Sequence, residues 1–290
     1  MARDAAAFPF VQFEFGFGLG PTDGRYVMRV EADGPAERVV VLATLGAPQR
    51  RTLRGRRGRE LTAAEPEPVP TTRATLVRAE PFGATGEAER WLSDLRSDRD
   101  RAEAEVEQGA RDLNAVLHAH RLAAADPYGP AVSPENAIVL RLGYGDGQRV
   151  SDGHFVAAWE PPRREPRGGR RRRRVSAPDE RFARLLGGRE QALASEELIL
   201  RARADVEGGR PREAALQARV ALECLVEELA DESGAETGRR RAELADARGP
   251  IGDAANAALA GDPSEELQES VAAAISRMEA LLRHRAHGAD

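Results

Sequence analysis

The segment Pro161–Val175, PPRREPRGGRRRRRV, limits the possible folds more than any other stretch of the chain. It has no apolar side chain before Val175 and neither helical nor strand periodicity. A run of arginine, proline and glycine cannot bury enough surface to offset the entropy lost on ordering. Patterns before it alternate between strand-like and helix-like, and patterns after it are almost wholly helical. The expected organisation is an α+β domain over 1–160, a flexible arginine/proline/glycine-rich linker over 161–175 and an all-α helical bundle over 176–290. At 290 residues the chain is long enough for each domain to bury its own core.

The first domain opens on phenylalanine. Phe8, Phe10, Phe13, Phe15 and Phe17 are five of the eight in the protein. Phe13, Phe15 and Phe17 alternate with Glu14, Gly16 and Gly18, a period that puts three rings on one face of a strand. Two readings stand: a strand covering the sheet core, or an exposed arm that docks on a partner. Gly16–Gly20 resembles a dinucleotide loop, but Pro21-Thr-Asp-Gly24 follows as a turn where a helix is needed. Arg25–Val30 and Arg38–Leu45 read as a hairpin, and Thr71–Glu80 as a third strand. Between them, 47–70 is expected to loop out as a flexible insert, with Arg50, Arg51, Arg54, Arg56, Arg57 and Arg59 in its first half.

Gly86–Leu95 suits a short helix with Trp91, Leu92 and Leu95 inward, and Ser97-Asp-Arg-Asp100 a capping box for a longer one. Val106, Ala110, Leu113, Leu117 and Ala124 keep helical spacing in that longer helix. A meander is expected after it: Ala137–Leu142, a turn at Gly143–Gly147, then Gln148–Val150 and His154–Trp159. The sum is a small antiparallel sheet with helices on one face.

Beyond Ser176 the spacing predicts helices over Pro178–Leu186, Arg189–Val206, Arg212–Leu229 and Glu236–Ala247, a turn or two at Ile251–Leu259, and a terminal helix capped by Asp262. Ala214, Ala218, Ala221, Leu222, Leu225 and Leu229 form one apolar stripe. Short links between such helices make an antiparallel bundle.

Charge narrows the function classes. The net charge is −5, yet all 43 basic residues are arginine, which keeps its charge and presents a rigid fork to carboxylate or phosphate. One cysteine, Cys224, excludes an intramolecular disulfide and a thiolate zinc cluster. The N-terminus does not read as a signal peptide, and no run approaches the roughly 18 apolar residues of a membrane span. A cytoplasmic protein with no membrane contact, no cofactor and no metal is expected. No glycine-flanked serine nucleophile, lysine-bearing phosphate loop or metalloprotease histidine pair is present. His118 and His120 are two apart on a helix and point to different faces.

Two stretches look like parts of known families. Leu198–Leu229, with ILRARADVEGGRPREAALQARVALE, resembles one tetratricopeptide-repeat hairpin, although an array needs about three copies at a fixed period. The end of the chain, LLRHRAHG, is similar to the arginine-x-x-x-histidine-glycine signature of HEPN helical bundles. That resemblance implies Arg283 with His287, or Arg277 with His284, acting across a dimer on a phosphodiester, the histidine moving protons and the arginine holding charge. His284 stands where that family has asparagine, and a basic helix end facing its own dipole explains the same residues without catalysis.

The resulting expectation is a non-enzymatic protein-interaction or scaffold protein, with a protein partner or self-association. Its contact candidates are Arg170, Arg171, Arg172, Arg173 and Arg174 in the linker and Arg50, Arg51, Arg54, Arg56 and Arg57 in the insert. The alternatives are a nucleic-acid-binding protein or HEPN-like ribonuclease, with Arg283 and His287 catalytic, and an enzyme whose site lies in the first domain.

Overall fold

A computed structural model of the chain describes residues 6–29, 34–46, 71–126, 128–162, 178–230 and 235–288. The expected insert at 47–70 and most of the expected linker, with the arginines named in both, lie outside the described residues. The chain divides into two compact units, Met1–Arg164 and Glu165–Asp290.

The first unit is a six-stranded sheet, all neighbours antiparallel. Its strands are β1 (Ala7–Phe15), β2 (Gly24–Met28), β3 (Arg38–Leu45), β4 (Thr71–Arg78), β5 (Val139–Asp146) and β6 (Ala157–Trp159), in the order β2-β3-β4-β1-β5-β6. Two helices, α1 (Thr85–Ser97) and α2 (Arg99–Ala124), connect β4 to β5. Period-two alternation sends Val11, Phe13 and Phe15 of β1, Val40 and Leu42 of β3, Ala74 and Leu76 of β4 and Leu142 of β5 to one face. There they meet Trp91, Leu92 and Leu95 of α1 and Val106, Ala110, Leu113 and Leu117 of α2. The crossing of α2 over β1 is close: a Cβ at Gly109 would lie 3.0 Å from Val11 Cγ1 and 3.3 Å from Phe13 Cε2. At the ends of the strands, Arg38 pairs with Asp112 and Arg78 with Glu105, tying the sheet to α2. Burial pushes the Asp112 carboxyl above its ordinary value, against the pull of Arg38.

This is the α+β architecture expected, apart from three local corrections. Of the two readings of the phenylalanine stretch, the core strand is the one observed, not the exposed arm: β1 lies between β4 and β5, and Phe10, Phe13 and Phe15 are buried. Phe17 falls beyond the strand, against Phe15. The cap of α2 is Asp98, whose carboxylate accepts from the Arg101 amide at 3.1 Å, while Ser97 closes α1. The largest change is in the last meander. Gly143–Asp146 is strand, Gln148–Val150 is not, and β6 is only three residues.

The second unit is all helix: α3 (Pro178–Leu186), α4 (Ala194–Glu207), α5 (Pro211–Glu228), α6 (Ala235–Asp246), α7 (Arg248–Ala260) and α8 (Glu265–Gly288). α5 is central, packing on α4, α6, α7 and α8. Ala202, Ala214, Ala218 and Ala221 are fully buried, and their small side chains let α4 and α5 lie close as a hairpin about Gly208-Gly209. Ile199, Leu222, Leu225, Ile251, Val271, Ile275, Met278 and Leu281 complete the core. α7 is a full helix rather than a turn or two, and α8 begins at Glu265, two residues later than an Asp262 cap requires.

Several helix ends in this unit are closed by side chains. The Glu228 carboxylate accepts from the Ala194 and Ser195 amides at 2.8 and 3.2 Å, at the start of α4. Burial opposes its charge, but the bonds from Ser195 and Ala194 outweigh that and hold it below the usual carboxylate range. Arginine closes three C-terminal ends. Arg210 donates to Ala204 O (3.0 Å), Arg212 to Ala258 O (2.8 Å), and Arg241 to Leu229 O and Ala230 O (2.7 and 2.8 Å).

Candidate functional site

The face of the sheet turned away from α1 and α2 carries the polar groups. It is built by the ten residues that join β5 to β6, 147–156, which fold back across the sheet as a strap. Arg25 on β2 grips the strap, donating to the Gln148 side chain at 3.0 Å and to its carbonyl at 2.8 Å. A short 3₁₀ turn, Val150–Asp152, brings Val150 down onto Phe10 and Val77, with Phe8, Phe155 and Ala158 around them. This second small core needs room, and glycine supplies it. A Cβ on Gly143 would lie 2.4 Å from Ala157 O and 2.8 Å from Phe10 Cζ; one on Gly145 would lie 2.8 Å from Val150 Cγ1. Gly143 and Gly145 are therefore strand positions, Gly143 kept clear for β6 and Phe10 and Gly145 for the strap, and the turn begins only at Gly147.

Along the strands the same face changes from apolar to polar. Gln12 of β1 sits between Thr75 of β4 and Arg141 of β5, and Glu14 sits opposite Arg73 of β4. Gln12 and Thr75 are fully buried. The Gln12 amide donates to Thr75 Oγ1 at 2.9 Å and to Val150 O at 3.4 Å, and its Oε1 accepts from Arg141 Nη1 at 3.0 Å. Glu14 Oε1 receives three charged contacts: Arg73 Nε at 3.0 Å, Arg73 Nη2 at 2.8 Å and Arg141 Nη1 at 3.0 Å. Arg73 Nη1 reaches Ser151 O at 3.4 Å, and Arg141 Nε donates to Glu160 Oε1 at 2.8 Å. Two guanidiniums thus share one carboxylate oxygen beside the strap.

Sequence reading did not single out this constellation. The signal was Gln12 and Glu14 alternating with the phenylalanines of β1, legible as a second, polar face. Nothing in the sequence tied them to Arg73 and Arg141, because that pairing depends on strand order.

The residues that sequence reading did single out are not brought together. Arg170–Arg174 and Arg50, Arg51, Arg54, Arg56 and Arg57 lie outside the described residues. Arg283 lies on α8, its Nη1 3.5 Å from Glu279, and Glu279 also pairs with Arg203 of α4. His287 belongs to the same helix, but its side chain lies outside those described. Cys224 is half-buried on α5, and His118 faces Arg121 at 3.0 Å.

No family model matches the chain, and neither the curated proteins nor the solved structures contain a match to it. Among the described residues, no helix is long and apolar enough to cross a membrane.

Proposed function

We propose that the protein is a cytoplasmic, non-enzymatic interaction or scaffold protein whose helical unit docks a protein partner or a second copy of the chain. The observation that carries this reading is α3. Phe182 and Leu186, one turn apart, are 61% and 74% exposed. The helix is tied to its own unit by Arg181, which donates to Glu190 and Glu196, and by Arg184, which donates to Glu190. Large apolar side chains paired outward on an amphipathic helix are what helix-in-groove recognition uses. The arginine-rich stretches at 50–57 and 170–174 would add contacts to an acidic partner, and 161–175 would let the two units act as separate bodies. The test is light scattering and cross-linking of the full chain over a range of concentrations, together with capture from the native host, for wild type and the Phe182→Ala/Leu186→Ala double variant. Association lost in the double variant is the expected result, and equal association in both removes α3 from the reading.

A second reading, contact with or cleavage of RNA through Arg283 and His287, draws support from α8 running unbroken to Gly288, which puts positions 283 and 287 one turn apart. Set against it, Glu279 already lies beside Arg283. Titration with RNA and DNA at two salt concentrations, and cleavage by wild type, Arg283→Ala and His287→Ala, decide the matter. Cleavage equal in all three, or absent from all, eliminates the nuclease.

A further inference from the structure

We infer that the polar half of the strap face is a binding site for a small anion, a carboxylate or a phosphate, received by Arg141 with Arg73 beside it. The argument begins with what the face does not need. Its other half is filled by Phe10, Val77, Val150 and Phe155, so apolar side chains are accommodated under the strap. Placing Gln12, Glu14, Arg73 and Arg141 on the same face carries a desolvation cost that apolar residues avoid. The counter-charge of the cluster is unevenly held. Arg73 and Arg141, 17% and 22% exposed, share the single carboxylate of Glu14, 12% exposed. The second counter-charge comes from Glu160, which is 60% exposed.

Arg141 is half used. A guanidinium binds carboxylate or phosphate best through two parallel N–H donors. In Arg141, Nη1 is committed to Gln12 and Glu14, and Nε to one oxygen of Glu160. Nη2 makes no hydrogen bond to any described residue, so the edge formed by Nε and Nη2 is held by one contact from an exposed side chain. Glu160 occupies that edge as a placeholder. An external anion displaces it, takes both donors and supplies the counter-charge in its place. Gln12 and Glu14 fix the inner edge of the guanidinium, so the fork is oriented before the ligand arrives. The inference does not rest on the partner-docking reading, since every group in it belongs to the sheet unit.

The experiment follows the arginine Nε–H signals of the full-length protein by NMR during separate titrations with sodium phosphate and sodium succinate, ionic strength held constant with chloride. A saturable shift of the Arg141 signal is expected with at least one of the two, and the anion that saturates identifies the class. Glu160→Gln should bind about tenfold more tightly, and Arg141→Lys, which keeps the charge but loses the fork and is followed by the Arg73 Nε–H signal, about tenfold more weakly. Arg141→Lys also retains a cation beside Glu14, which guards against loss of the fold, and its circular dichroism must match wild type. The inference is overturned if neither anion saturates, if chloride alone produces the shift, if Glu160→Gln leaves affinity unchanged, or if Arg141→Lys binds as wild type does.

Discussion

In the sheet unit, guanidiniums meet carboxylates across neighbouring strands; in the helical unit, they also meet backbone carbonyls at helix ends. Arg73 and Arg141 converge on Glu14 because strand register sets them on one face. Arg210, Arg212 and Arg241 instead reach the last turns of α4, α7 and α5. The difference follows from where each architecture leaves polar groups unsatisfied. A sheet consumes its backbone donors and acceptors between strands, so charge on its face is answered by side chains and by the carbonyls of the strap. A helix leaves four carbonyls at its end, and a long planar cation with several donors answers them. A chain without lysine does both jobs with one residue type.

The comparison is open to direct attack. Both tryptophans, Trp91 and Trp159, belong to the sheet unit, so fluorescence reports that unit and far-ultraviolet circular dichroism reports chiefly the helices. The largest effects should come from packing. Gly143→Ala forces a methyl against Ala157 O and Phe10, and should cost about 3 kcal/mol in the fluorescence transition. Leu225→Ala empties the centre of the bundle and should cost about 3 kcal/mol in the dichroism transition. If either variant shifts both transitions equally, the two units do not unfold separately and the contrast dissolves.

Next in size is Glu14→Gln, which leaves two half-buried guanidiniums without their shared anion and should cost about 2 kcal/mol by urea denaturation. Arg241→Met, which strips the carbonyl bonds at the end of α5, should cost about 1 kcal/mol. A cost for Arg241→Met as large as that for Leu225→Ala would show that capping, not packing, dominates the helical unit.

The smallest effect is on pH dependence, and its sign should differ between the units. The bond from Arg181 holds the Glu190 carboxyl below the usual carboxylate range. Its contribution is complete above the ordinary carboxylate pKa and is lost as pH falls through the lower, folded value. Asp112 is raised by burial, so the folded sheet unit takes up that proton first. In the window between the ordinary and raised values, stability from this group grows as pH falls. Amide exchange followed unit by unit from about pH 6 to about pH 3 should therefore show the Glu190 contribution weakening with acid and the Asp112 contribution strengthening. Replacing each carboxylate by its amide should remove the corresponding trend.

The sequence made the α+β class and most elements legible wherever one period ruled a stretch. The β2–β3 hairpin, the Trp91 face of α1 and the alanine stripe of α5 are of this kind. It misled where a residue served a distant neighbour. Gly143 and Gly145 look like a turn until the β6 strand and the strap packed against them are seen. Asp98 and Ser97 are equally good caps on paper, and only the break between α1 and α2 chooses. The ionic cluster depends on β1 lying between β4 and β5, an order that no local pattern encodes.

That central position of β1 also governs how the sheet can be assembled. Phe10 pairs with Val77 on one side and with Gly143 on the other, so β1 gains its second neighbour only after β4, both connecting helices and β5 have been synthesised. At ribosomal rates of about 5–20 residues per second, it waits on the order of ten seconds for its second neighbour. A phenylalanine-rich β-segment held open for that long exposes apolar surface and an unpaired edge, so aggregation competes with folding until β5 arrives.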